Sequence, residues 1–340
     1  MSGIADVARA AGVSKSTASR AISGGGYVSG ETKLRVERAA RELGYVASTN
    51  AASLVTGRTR ALAVIVPRVN RWYFGEMIEG IERELIGSDY DMTLYVAEPD
   101  SEDREHMFSH FLARKRFDGL IAVALEPDDE EVERLIAFGK PTLCIGNDLT
   151  AIPTLGVDNV AIGRMMTQHL ITLGHRRIAY VGRIPDGAPA ARDVEQRLAG
   201  YEQAMLSAGL SSEVRTTGTL LTMPDGYAAA VPLLADPATR PTGIVAVCDE
   251  VAIGALIAAQ RLGIPVPAAL SVIGVDGHDY ADMFSLTTVE QRPSDMGSTA
   301  VRAVLDQIEE RGDDPSRIVA PTRLVVRSST GPVPVTGSLP

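Results

Sequence analysis

Two groups of polar residues in this sequence have the types and spacing to do chemistry. The first is the run Ser14, Lys15, Ser16, Thr17, Ser19 and Arg20, interrupted only by Ala18. Lys and Arg donate hydrogen bonds to phosphates and base edges, and Ser and Thr both donate and accept, so such a face suits a nucleic-acid duplex. The second group is scattered, but most of its members stand just past a strand-like apolar run. They are residues 70–74 after ALAVIV, Asn147 and Asp148 after TLCIG, Asp249 after GIVAVC and Asp276 after SVIGV. Open α/β sheets bind small ligands at the carboxyl ends of their strands, and Arg197, on the helix after RIAYVG, can reach the same edge.

The first group needs a helix pair to present it. Ile4, Val7, Ala8 and Ala11 recur at helical spacing and stop at Gly12, which can take φ > 0. Val13 then turns inward, and Ser14 is a natural N-cap for a second helix from Lys15 whose inward stripe is Ala18, Ala21 and Ile22. Lys15, Ser16, Thr17, Ser19 and Arg20 are left outside. Either helix alone would read as a plain hairpin; small Ala, turn Gly, inward Val, capping Ser and a polar outer face in one short window are far more specific. Ser29 opens a third helix through Leu34, Val36, Ala39, Ala40 and Leu43, stopped by Gly44, and the stretch after it reads as a linker.

The second group needs sheets. Beyond Arg60, strand-like runs alternate with helical patterns: ALAVIV, 74–85, MTLYVA, 102–112, GLIAVA, 130–138 and TLCIG, then 162–173, RIAYVG, 194–208, GIVAVC, 250–261 and SVIGVD. Alternation of this kind is the signature of parallel sheets covered by helices, here in two similar lobes facing one cleft. Links near 158–159 and 287–293 would carry the chain between lobes, the second returning a helix at 296–309.

Charge divides the chain the same way. The net charge is −10, yet residues 1–60 hold nine Lys/Arg against four Asp/Glu, leaving −15 on the rest. A basic head on an acidic body confines phosphate contact to the head. Cys144 and Cys248 stand far apart in apolar contexts and read as buried thiols, so neither disulfide nor metal site is expected. His175 in LGHRR reads as structural, and the acidic run EPDDEEVER as a solvated helix start. No apolar run approaches a bilayer span, and the N-terminus lacks a secretory h-region, so a cytoplasmic protein without membrane contact is expected.

The stretches DVARAAGVSKSTASRAIS, YVSGETKLRVERAARELGY and AASLVTGRTR resemble the head of the lactose-repressor (LacI/GalR) family of bacterial regulators, almost without gaps over the first sixty residues. The pieces VDNVAIG, HLITLGHRRIAYVG, QRLAGYEQAM, CDEVAIGAL and SVIGVDG resemble the same family's core, itself similar to periplasmic sugar-binding proteins. The resemblance implies an α/β protein with a helix-turn-helix head at 1–46, a hinge at 47–60, and a two-lobed core at 61–330 that binds effector and dimerises. The lobes would be 61–158 with 293–321 and 159–292 with 322–330, and 331–340 a tail.

Carried over by resemblance, Lys15 and Ser16 are the specificity-reading pair, Arg20 a third base contact, and Thr17, Ser19 and Ser29 phosphate contacts. Leu54 would wedge into the minor groove at the centre of a near-palindromic operator. In the core, Arg197 and Asp276 correspond to the family's effector-binding Arg and Asp, with Trp72, Tyr73 and Phe74 as an aromatic lip; Asn147 and Asp249 join the expected site from their strand-end positions. Departures are Gly3 and Ser23 in the head, Ala47 and Ser48 where the hinge usually has Pro and Asn, and Cys248 and Gly277 in the core. The expected protein is a homodimeric repressor, modulated by a sugar, without cofactor. The tail carries no leucine heptads for further assembly. A transport protein would need a signal peptide and no head; an enzyme would need a motif such as GxSxG, a P-loop or HExxH, and none occurs.

Overall fold

The computed structural model describes residues 3–23, 27–45, 57–99, 101–114, 116–146, 149–185, 191–311 and 316–333. Leu54, Asn147, Asp148, Ala47 and Ser48 lie outside them.

The head contains α1 (Ile4–Ala10), α2 (Lys15–Ser23) and α3 (Gly30–Glu42). Gly3 has no side chain to cap α1, but its N–H donates to Asp6 Oδ2 at 2.9 Å, the half of a capping box that needs none. Gly12 takes φ 66° and Val13 N–H donates to Ala8 O at 2.9 Å, which closes the turn. Val7, Ala8, Ala11, Ala18, Ala21, Val36 and Ala39 form the core, with Ile4, Val13 and Ile22 packed on it. Leu34, expected on the inner stripe of α3, is instead 61% exposed.

The body holds two six-stranded sheets. The first runs β11-β5-β4-β3-β1-β2, built from β1 (Ala61–Val66), β2 (Asp91–Val96), β3 (Gly119–Val123), β4 (Thr142–Ile145), β5 (Thr154–Gly156) and β11 (Arg317–Val319). All its pairings are parallel. Alternate residues of β1 serve opposite faces: Leu62, Val64 and Val66 pack under α4 (Trp72–Gly87), while Ala63 and Ile65 meet the π-turn Met107–Phe111 that follows α5 (Glu102–His106), and α6 (Asp129–Phe138). A strand buried on both faces must be apolar throughout, which is why ALAVIV is legible.

The second sheet runs β12-β10-β9-β8-β6-β7, from β6 (Ile178–Arg183), β7 (Arg215–Gly218), β8 (Gly243–Ala246), β9 (Ser271–Asp276), β10 (Thr287–Glu290) and β12 (Arg323–Val325). It is parallel except for the antiparallel β10/β12 edge. Its helices are α7 (Asn159–Thr172), α8 (Arg192–Ser207), α9 (Met223–Ala235) and α10 (Asp249–Arg261). The last helix, α11 (Pro293–Ile308), crosses back onto α4: a Cβ on Gly80 would lie 2.0 Å from Ser294 O.

The chain passes between the sheets three times within the described residues, after β5, after β10 and after β11. Strands β5, β7, β10, β11 and β12 and helix α9 were not expected from the sequence. The strands are three or four residues long and partly polar, and α9 carries Pro224 in its first turn and Pro232 inside. Helix α11 begins at Pro293, three residues before its apolar stripe makes it visible.

Candidate functional site

Two surfaces merit the name. On the head, Ser14 Oγ accepts from Thr17 N–H at 3.1 Å and lies 2.8 Å from the Thr17 hydroxyl and 2.9 Å from the Ser16 hydroxyl. Ser14 is thus occupied in capping, and Thr17 is half-buried beside it. Lys15, Ser16, Ser19 and Arg20 are exposed together on α2, where Arg20 Nε donates to Ser16 O at 3.2 Å and lies along the helix. Ser29 is exposed, but its hydroxyl donates to Thr32 Oγ1 at 2.9 Å and accepts from Thr32 N–H, closing the N-terminus of α3. The outer rim of α2 therefore carries a cation, a hydroxyl pair and a second cation.

The second surface is the seam between the lobes. Arg197 reaches it from α8 because α7 and α8 touch backbone to backbone: a Cβ on Gly163 would lie 2.0 Å from Arg197 O. Arg197 Nε donates to Asn159 Oδ1 at 2.8 Å and Nη1 to Val247 O at 2.8 Å. Nη2 has no partner among the described residues. Burial would depress this guanidinium, but Asp276 and Asp193 more than offset it and its pKa is raised.

Asp276 ends β9 with φ 136°, a conformation few L-residues take, and Gln291 holds it there. Gln291 N–H donates to Asp276 O at 3.1 Å and its Nε2 to Oδ1 at 2.8 Å. Burial pushes the Asp276 carboxyl well up, Arg197 opposing and Asp249 and Glu250 adding to the rise. Asp193, in the first turn of α8, accepts from Asn159 Nδ2 at 3.0 Å, and burial raises it to about 6. Tyr73 on α4 feels Asp193, Arg197 and Asp276, and burial with those carboxylates drives its pKa up. Trp72 stacks on His278 of the other lobe, centroids 4.7 Å apart. A cavity of about 390 Å³ opens beside Trp72 and Asp276, while the gap by Asn159 and Asp193 holds only about 30 Å³. The lobes are closed on each other.

The structure thus brings Trp72, Tyr73, Arg197 and Asp276 together. Two other residues expected there stand back from the seam. Phe74 packs partly on the first lobe's core, edge-on to Tyr73 at 5.7 Å. Asp249 has no exposed surface: its carboxylate accepts from Gly277 N–H and His278 N–H, each at 2.9 Å, and from the Thr288 hydroxyl at 2.7 Å. It fastens the loop after β9 instead of facing the cleft.

Sequence reasoning missed Asn159, Asp193, Gln291, His278 and Glu250; Arg71 lay within the 70–74 segment it singled out. Gln291 follows a strand just as Asp276 does, but β10 itself had gone unseen, so its strand-end residue did too. A larger cavity of about 630 Å³ lies on the first lobe between Ser101 and Arg134. Its arginine Arg104 is held by Glu131 at 2.7 and 2.6 Å, and no aromatic lines it.

Residues 3–48 match the family model described as bacterial regulatory proteins, lacI family, and residues 167–330 match a periplasmic binding protein-like domain. The HTH-type transcriptional regulator DegA of Bacillus subtilis (strain 168) is 33% identical over 338 residues, covering 97% of this chain and 98% of that protein. Among solved structures, the lac repressor dimer bound to operator and the anti-inducer ONPF superposes with a TM-score of 0.84 at 25% identity, covering 97% of this chain and 99% of that one. The transcriptional regulator CelR in complex with cellobiose superposes at 0.68 with 28% identity, covering 97% and 100%. Head, body and nearly full-length likeness agree: the chain belongs to the lacI family of bacterial regulatory proteins, which are DNA-binding transcriptional regulators and not enzymes.

Proposed function

We propose that a polyhydroxylated small molecule, a sugar, binds between the lobes and sets the affinity of a homodimer's two heads for a near-palindromic operator. The carrying observation is the convergence of Arg197, Asp276 and Tyr73 on one interlobe seam beside the Trp72 ring. Guanidinium donors and carboxylate acceptors suit vicinal hydroxyls, and an aromatic face suits the apolar side of a pyranose. The cellobiose complex of the relative supports the same class of ligand. Lys15, Ser16 and Arg20 would read base edges, while Ser19 and the α2 N-terminus would position the head on phosphates. The first lobe is assigned 61–158 with 293–321, the second 159–292 with 322–330, and the hinge 47–60. Its operator places the protein in the cytoplasm.

The test is a selection from randomised duplexes, followed by mobility shifts of the winning sequence with a panel of sugars. Recovery of a two-fold site whose binding changes with one sugar is expected. No enrichment, with and without sugars, would remove the reading.

A further inference from the structure

Resting on the cleft as effector site, we propose that it sorts ligands by charge: amine-bearing polyols bind best, uncharged ones next, and phosphorylated ones are rejected.

Donor and acceptor counts around the seam carry this. Arg197 has spent Nε on Asn159 and one Nη1 hydrogen on Val247 O, so three N–H remain for a ligand, two on Nη2 and one on Nη1. Arg71, another cation in the seam, is tied to Glu250 at 3.2 Å and to the Leu221 carbonyl, and Arg292 and Arg323, which line the larger cavity, pair with Asp295 at 3.6 Å and Glu290 at 2.9 Å. Arg192 and Arg317 line the small gap by Asp193, but both are exposed and screened by solvent.

Acceptors remain in excess. Asp276 has given one oxygen to Gln291 Nε2, and Asp193 has given one to Asn159 Nδ2, which leaves Oδ2 of each. Asp193 Oδ2 points toward the first lobe, where a Cβ on Gly146 would lie 3.3 Å away. Gln291 is 1% exposed, and its Oε1 is buried with no hydrogen-bond partner among the described residues, as is the donor Trp72 Nε1 on the other lobe. A buried acceptor left bare is costly, so it marks where a donor belongs. Both carboxyls already sit above their ordinary range because burial disfavours their charge. An added anion would stand beside them in a medium that screens poorly, whereas an ammonium brings three donors and a compensating charge.

Full-length protein is titrated calorimetrically with glucose and galactose, their 2-amino derivatives and their 6-phosphates, at constant ionic strength. Inorganic phosphate serves as an anion probe independent of sugar identity. The amino form of any sugar that binds should bind tighter than its parent, the 6-phosphate at least about tenfold weaker, and phosphate should give no saturable heat. Asp193→Asn should narrow the gap between amino and phosphorylated forms. A 6-phosphate that binds as tightly as its parent, or saturable phosphate binding in the cleft abolished by Arg197→Ala, overturns the charge rule and leaves the sugar reading standing. If no sugar binds in any form, the sugar reading fails and the charge rule with it.

Discussion

Arg71, just ahead of the first helix of one lobe, reaches across the seam to Glu250 at the start of α10 in the other, Nε to Oε1 3.2 Å. Both side chains are under one-fifth exposed, at 17% and 19%. Removing one partner leaves the other largely buried without its counter-charge. Arg71→Ala and Glu250→Ala should each destabilise the closed arrangement, with a coupling of about 1–2 kcal/mol in a double-mutant cycle read by urea denaturation. Additive effects would show that the pair contributes nothing to closure. Paired spin labels on the two lobes should give one distance in the parent protein and a broader distribution in Arg71→Ala.

Arg197 lies in the seam with its guanidinium anchored at two atoms. Arg197→Ala should weaken any sugar that binds by about 2–5 kcal/mol and abolish its effect on operator binding, while operator affinity without sugar is retained. Calorimetry and mobility shifts read the two quantities separately. A normal sugar response in the variant would remove Arg197 from the site.

Lys15 is exposed at the first position of the recognition helix. Lys15→Ala should cost about 1–3 kcal/mol on the selected operator and much less on unrelated duplex. Competition binding at fixed salt gives both numbers, and an equal loss on every sequence would mark Lys15 as a phosphate contact.

Asp249 accepts three hydrogen bonds in a fully buried setting, so its role is separable from ligand binding. Asp249→Asn replaces an acceptor with a donor aimed at donors. A stability loss of about 2–3 kcal/mol is expected by chemical denaturation without any sugar. Unchanged stability together with lost sugar binding would make Asp249 a ligand contact after all.

His175 is 1% exposed, with Nδ1 3.0 Å from Thr242 Oγ1 and Nε2 2.9 Å from Ser271 Oγ. Burial depresses its pKa below the ordinary 6.5, with the Gly331 carbonyl opposing and His169 nearby adding to the fall. Between the unfolded and folded values the unfolded chain binds the extra proton. Stability is therefore full above about pH 6.5 and falls as the pH drops through the lowered value. Urea midpoints at pH 7.5 and 5 should differ more for the parent than for His175→Gln; equal differences would mean that His175 does not titrate there.

Much of this was readable from the chain. The head was legible because Gly12, Val13 and Ser14 each satisfy a local demand that tertiary packing reinforces, and the central strands because burial on both faces demands unbroken apolar runs. Asp276 was visible as the residue ending such a run. Gln291 was not, because β10 reads Thr287, Thr288, Val289, Glu290: its threonines are fully buried, but Thr288 is satisfied by Asp249 and Thr287 by the Arg327 carbonyl at 3.0 Å. Hydroxyls paired in the interior look like surface in a sequence. Helix α9 was hidden by Pro224, Gly226 and Pro232, residues that punctuate loops elsewhere. The role of Asp249 was misjudged for a related reason: an Asp after a strand looks the same whether it faces a ligand or ties down the next loop.

Short links joining the sheets after β5, β10 and β11 behave mechanically like pins set along one spine. Links of a few residues make swinging about them the motion that strains the chain least. A ligand that fills the seam would then be read as an angle between the lobes, and the head, which precedes β1 in the chain, is joined to one of the two.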